Sequence, residues 1–225
     1  MRLRTEGISR RFFRKTGEAN FFEAVRKTDL TLEEGKVTVL MGRSGSGKTT
    51  LLQMMAGLLQ PTEGKVFLDG TDLYALEDRA LSRLRNAKIG IIPQGRSAIE
   101  TLTVRENILL PGMLYGPAAP DAEKKAEEWL EKMGILQLAD SRPKELSGGE
   151  LRRMAIVRAL AQQPPIILAD EPTGDLDDEN TLLVLKTLRE TAFSGAAVLL
   201  VTHENEAMAF ADSILRMDAG ELKTV

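Results

Sequence analysis

At 225 residues the chain is long enough to bury a sizeable core, and 43% hydrophobic against 28% charged residues argues against wholesale disorder. A net charge of −3 supplies no general electrostatic attraction for nucleic acid. With no cysteine and one histidine, disulfides and thiolate metal sites are excluded and a zinc centre has little to be built from. The lack of cysteine is compatible with a reducing, cytoplasmic setting.

In chain order, the first fifteen residues carry Arg2, Arg4, Arg10, Arg11, Arg14 and Lys15 against Glu6 alone, which reads as a solvated strand edge rather than an anionic-surface contact. The stretch has no apolar core of the signal-peptide kind. No apolar run approaches the roughly 20 residues that cross a bilayer, so a soluble chain is expected. Alternation up to Thr38, and again in "KVFLDG" (65–70), predicts a small antiparallel sheet. The runs "VTVLM" (37–41), "IGIIPQ" (89–94), "PIILADE" (165–171) and "AAVLLVTH" (196–203) fit strands buried on both faces, the mark of a parallel sheet covered by helices. Between Gly95 and Gln163 the pattern is almost wholly helical, with breaks at "PGMLYGPAAPD" and "DSRPKELSGG". Thr103 and Glu106 have capping-box spacing, and Ala126, Trp129, Leu130 and Met133 share one helix face. That segment is too long for a simple crossover and reads as a helical lobe inserted into an α/β core.

"GRSGSGKT", Gly42 to Thr49, fits the phosphate-binding pattern G-x-x-x-x-G-K-[ST], with a strand before it and the helical "TLLQMMAGLL" after it. Its glycines let the backbone N–H groups of Gly42, Arg43, Ser44, Gly45, Ser46 and Gly47 fold around an anion at a helix N-terminus. Lys48 is expected to reach the β- and γ-phosphates and the Thr49 hydroxyl to ligate Mg²⁺; Thr50 follows directly. "IILADE" ends a strand in Asp170 and Glu171, at the sheet edge where open α/β folds bind ligands. Asp170 is read as part of the Mg²⁺ shell, and Glu171 as the group that polarises a water aimed at the γ-phosphate. His203 should emerge at a strand end too. In "LSGGE", Ser147 and Glu150 form a capping box with Gly148 and Gly149 in the first turn. The same helix start is an anion site only if another copy, or a fold-back of the chain, brings phosphate to it.

The ordered set of "GRSGSGKT", Gln94, "LSGGE", "IILADEPTGDLD" and His203 resembles the nucleotide-binding domain of an ATP-binding cassette (ABC) transporter over essentially the whole chain. "TLTVRENILLP" and "ADEPTGDLD" are most similar to the small ATPases of lipoprotein-releasing, macrolide-exporter and antimicrobial-peptide systems. The resemblance implies a single domain with a P-loop NTPase (RecA-like) mixed-sheet core and an N-terminal antiparallel β subdomain at 1–94 and 164–225, and an inserted α-helical subdomain at 95–163. It implies ATP and Mg²⁺ as cofactors, Glu171 as general base, and His203 on the γ-phosphate. Gln94 is implied as a sensor of Mg²⁺ and water, and Phe12, or its neighbour Phe13, as the ring stacked on adenine. Two copies are expected to close head to tail on ATP, with Ser147, Gly148, Gly149 and Glu150 facing the other copy's phosphates and Asp177 at the interface. Phe12 stands where tyrosine is commoner, Glu150 where glutamine is frequent, and Pro93 and Gly95 where an aromatic and a polar residue are frequent.

The resemblance thus implies an ATPase that powers membrane permease subunits carried on other chains, at the cytoplasmic face of the membrane and without inserting into it. A related alternative is an ATPase that signals through a membrane partner to a cell-envelope enzyme, as in cell division. A soluble DNA-repair or translation ATPase fits poorly, because the chain has one cassette and a net negative charge.

Overall fold

The computed structural model describes residues 3–13, 21–95, 97–115, 120–174 and 176–224; Arg2, Arg14 and Lys15 of the basic cluster lie outside the described residues. Two sheets form the frame. Strands β1 (Leu3–Phe13), β2 (Phe21–Thr28), β3 (Thr31–Leu32), β5 (Glu63–Leu68) and β6 (Thr71–Asp72) make a five-stranded antiparallel sheet. Strands β4 (Val37–Met41), β7 (Ile89–Ile92), β8 (Ile166–Asp170), β9 (Ala197–Thr202), β10 (Ser213–Asp218) and β11 (Glu221–Thr224) make a six-stranded sheet in the order β11-β10-β4-β9-β8-β7. All its pairings are parallel except the terminal hairpin β10–β11.

The apolar runs of the central strands face two different cores, as the alternation of side chains across a pleated sheet requires. Val37, Val39, Ile167, Ala169, Val198 and Leu200 point into one core. Leu40, Ile166, Leu168, Ala197, Leu199 and Val201 point into the other. Helix α1 (Lys48–Met55) and the antiparallel sheet close the second core through Leu51, Met54, Met55, Leu3, Ile8 and Val66. The first core is covered by helices α3 (Val104–Met113), α4 (Ala122–Lys132), α5 (Gly148–Leu160) and α6 (Asp178–Phe193). Each fully buried Leu or Ile there contributes about 1.5–3 kcal/mol relative to exposure.

Local signals explain several boundaries. Thr103 and Glu106 cap α3 reciprocally, with Glu106 N–H donating to Thr103 Oγ1 at 3.2 Å and Thr103 N–H donating to Glu106 Oε2 at 2.8 Å. In α4, Ala126 and Leu130 are fully buried, and Met133, which caps its end, is nearly so, while Trp129 is half-buried. The break expected at "PGMLYGPAAPD" begins later, because α3 runs through Pro111 and Gly112 to Met113. Pro111 sits in the last turn, where its missing N–H removes one helix bond, and its carbonyl accepts the Asn86 amide at 2.9 Å. Two further elements have no counterpart in the sequence reading. Helix α2 (Asp78–Lys88) has no fully buried residue, but Leu81 and Leu84 share a face and pack partly buried against the second core, and the β10–β11 hairpin adds to the far edge of the parallel sheet.

The loop after β7 is held from several sides. Fully buried Asn107 accepts from Ile99 N–H at 2.8 Å and donates to Thr103 O at 2.9 Å. From α5, Arg152 Nη1 donates to Pro93 O at 2.7 Å and Arg158 Nη1 to Ser97 O at 2.8 Å. Helix α5 itself lies close on β7. A Cβ at Gly90 would stand 2.5 Å from Ala159 O and 2.8 Å from Pro164 Cγ. Gly90→Ala is therefore expected to push α5 off the sheet and destabilise the protein by about 1–3 kcal/mol, read by denaturant unfolding. An unchanged midpoint would show that the helix shifts without loss.

Candidate active site

Four parallel strands lie side by side in the order β4-β9-β8-β7, so their carboxyl ends share one edge of the sheet. Gly42 follows β4, His203 follows β9, Asp170 ends β8 with Glu171 next, and Gln94 lies two residues beyond β7. Over this edge opens a cleft of about 600 Å³, lined among the described residues by Phe12, Phe22, Ala24, Arg43, Ser44, Gly45, Gly47, Lys48, Thr49, Thr50, Gln94, Glu171 and His203. Residues as distant in sequence as Phe12 and His203 thus meet in one place.

The glycine-rich loop wraps the start of α1. Gly47 is its N-cap in the left-handed region at φ +107°, and a Cβ there would stand 2.2 Å from Ala24 O, so both conformation and space require glycine. Lys48 is buried and its Nζ reaches back over the loop, donating to Gly42 O at 2.7 Å and Arg43 O at 3.1 Å. Gly42 and Ser46 do not line the cleft. Gly42 borders a neighbouring cavity with Arg43, His203 and Arg216, and Ser46 is buried under the loop with its hydroxyl unpartnered.

Asp170 is 2% exposed, and its Oδ1 has no hydrogen-bond partner. Burial raises its pKa above the ordinary carboxylate value, the Glu171 charge adds to this, and the Thr49 hydroxyl bond, Lys48 and Arg152 oppose it. Glu171 holds φ +48°, a conformation unusual for a residue with a side chain. Its N–H donates to Val201 O at 2.8 Å, so the turn is tied to the neighbouring strand. The side chain then meets His203, whose Nδ1 lies 2.9 Å from Glu171 Oε2. The His203 ring is 69% exposed and borders both the cleft and the neighbouring cavity, whereas the Glu171 side chain is only 12% exposed.

The second group of sequence-derived residues stands elsewhere. Ser147 caps α5, accepting from Glu150 N–H at 3.3 Å; the Ser147 hydroxyl and N–H, each donating to Glu150 Oε2 at 2.7 Å, hold the Glu150 pKa down. Gly148 and Gly149 form the first turn, and Gly148 borders a small cavity with Gly95, Arg152 and Gly174. Asp177 caps α6 through Asn180 N–H at 2.8 Å. None of Ser147, Gly148, Gly149, Glu150 or Asp177 lines the cleft. Phe12 lines it, and Phe13 is 89% exposed. The sequence reading missed Phe22 and Ala24, which also line it. The signal for them was the repeated "FF" on either side of a hairpin, which only the strand register resolves into the cross-strand pair Phe12↔Phe22.

The ABC transporter family pattern matches residues 25–174, two thirds of the chain. The chain belongs to the ABC transporter family. It is 38% identical to the lipoprotein-releasing system ATP-binding protein LolD of Aquifex aeolicus over 201 residues, covering 89% of this chain and 90% of that protein. The LolD 1 protein of Rhodopseudomonas palustris is 37% identical over 98% of this chain and 97% of its own. Among solved structures, a dimeric ATP-binding cassette in a post-hydrolysis state, bound to ADP and phosphate, superposes with TM-score 0.89 at 33% identity, covering 99% of this chain and 98% of that one. This ABC protein is accordingly an ATPase with the P-loop cassette fold. Among the described residues no helix is long and apolar enough to cross a membrane.

The cassette's buried carboxylate has a consequence for stability. The folded-state pKa of Asp170 lies above the unfolded value of about 3.9, so the folded state binds this proton more tightly. Its contribution to stability falls as pH rises from the unfolded value through the folded one, and the penalty is fully present above that. Asp170→Asn is expected to raise the melting temperature of the nucleotide-free protein at pH 8, with the gain shrinking as pH falls toward 4. A variant less stable than wild type at pH 8 would show that attraction to Lys48 outweighs desolvation.

Proposed function

We propose that this ATPase drives release or export of a lipoprotein, or of a lipid-like, peptide or drug substrate, by closing as a head-to-tail dimer against membrane permease subunits. The observation that carries the reading is the convergence at one sheet edge of Lys48, Glu171 and His203, which line the cleft, with Asp170 buried at the end of β8. The likeness to LolD proteins supports the lipoprotein assignment, and the dimeric cassette supports the closed pair. The site of action is the cytoplasmic face of the membrane.

In the proposed mechanism the loop N–H groups of residues 42–47 and the α1 dipole hold the phosphates, and Phe12 takes the adenine. Lys48 is held by two carbonyls of its own loop, so its ammonium is poised over the phosphate position before nucleotide arrives. The donor set fits Mg²⁺: a buried, unpartnered Asp170 oxygen beside the Thr49 hydroxyl, with Gln94 on the same cleft. Thr49, Asp170 and Gln94 would hold the ion together with phosphate oxygens, and bound Mg²⁺ supplies neutralisation of phosphate charge. Glu171 accepts the proton of the attacking water. His203 keeps that carboxylate aimed and presents the rest of its exposed ring to the γ-phosphate.

In the closed pair, Ser147, Gly148 and Gly149 offer the N-terminus of α5 to the partner copy's phosphate, with Glu150 fixing the cap and Asp177 at the interface. Residues 95–163 are then the helical unit that swings this end into place. Gln94 reports the swing, since its loop is bonded to Arg152 and Arg158 of α5.

Glu171→Gln is expected to lower kcat by about 100- to 10,000-fold while ATP binding persists, and light scattering with Mg·ATP should then report a dimer. Undiminished turnover would remove Glu171 as the base. A persistent ATP-bound monomer would mean that closure needs the permease.

A further inference from the structure

Phe22 has no part in the mechanism above, yet it lines the nucleotide cleft and packs on Phe12, with ring centroids 5.7 Å apart and planes inclined by 27°. The two residues are direct cross-strand partners in β1 and β2. Phe12 is further flanked by the Arg10 guanidinium, 4.8 Å from its ring centroid, and Arg10 is itself tied to Gln60 O at 2.8 Å. The hairpin is also anchored to the phosphate loop. Strand β2 passes so close at Ala24 that a Cβ on Gly47 would meet Ala24 O at 2.2 Å, and Phe22 lies two residues away along β2, about 7 Å by strand rise. The aromatic pair therefore stands beyond the loop, where a base follows its phosphates. Of the lining residues at this end, Phe12, Phe22 and Ala24, none has a side chain that can hydrogen-bond.

We infer that Phe22 is a positioning residue for base recognition: it fixes the Phe12 ring by packing on it from β2 and walls the cleft, so that the base is selected by stacking area. The inference rests on the reading that Phe12 takes the base. A free Phe12 ring on an exposed hairpin samples several rotamers, and a neighbour stacked on it removes that freedom before the base arrives. The benefit falls on the base alone and grows with the size of its π-system, so purine triphosphates gain more than pyrimidine triphosphates.

The test uses Phe22→Leu and Phe12→Leu, which keep an apolar side chain on each strand, with ATP, CTP and inorganic tripolyphosphate as probes. For Phe22→Leu we expect KM for ATP and the ATP dissociation constant to rise about 3- to 10-fold with kcat unchanged, the scale of one aromatic contact. The ATP-over-CTP preference should fall, tripolyphosphate affinity should stay as in wild type, and Phe22→Tyr should restore ATP binding. In Phe22→Trp, ATP but not tripolyphosphate should change the new indole's fluorescence above the wild-type signal from Trp129, which lines a separate groove. Should Phe12→Leu weaken ATP while Phe22→Leu does not, Phe22 has no role and the base site stands. If neither weakens it, the base site at Phe12 itself fails. Tighter ATP binding by Phe22→Leu would mean that Phe22 competes with the base, which overturns the proposal.

Discussion

The parallel ladder of β4, β9 and β8 is the constraint on which the rest depends. Parallel strands send all their carboxyl ends to one edge, and burial on both faces keeps that edge in register, since a one-residue slip would exchange the two cores. Val37 and Val39 on one face and Leu40 on the other show how tightly this is specified. The lysine, the carboxylates and the histidine are consequences of where three strands stop.

The edge holds groups that a merely stable protein would avoid. Asp170 is buried with an oxygen unsatisfied, and Glu171 adopts a backbone conformation that ordinary side chains disfavour by roughly 1–3 kcal/mol. Both are held by neighbours: Thr49 and Lys48 oppose the burial of Asp170, and the Val201 carbonyl and His203 restrain Glu171. Such positions persist because two large apolar cores over-determine the backbone around them.

Helix α5 links the two groups of candidate site residues. Its N-terminus carries Ser147, while further along Arg152 and Arg158 grip carbonyls of the loop that holds Gln94. Gly90 lets the same helix approach the sheet. Any rigid-body movement of α5 therefore pulls directly on a wall of the cleft, through hydrogen bonds rather than through a diffuse path.

The sequence by itself determined the phosphate loop, the strand-end acids, the capped helix starts at Thr103 and Ser147, and the α/β class. Each is written in local chemistry: glycine where φ is positive, a hydroxyl and a glutamate three residues apart, continuous apolar runs. The family resemblance added the order of the motifs. Only the tertiary structure decided that β9 lies between β4 and β8, which sets His203 against Glu171, because strand order is a long-range choice that no local pattern encodes. It likewise decided that Phe12 rather than Phe13 faces the cleft and brought Phe22 beside it, since the hairpin register fixes which of two adjacent rings points inward. Pro111 inside α3 was illegible for the opposite reason, its local helix-breaking signal being overridden by contacts with distant residues.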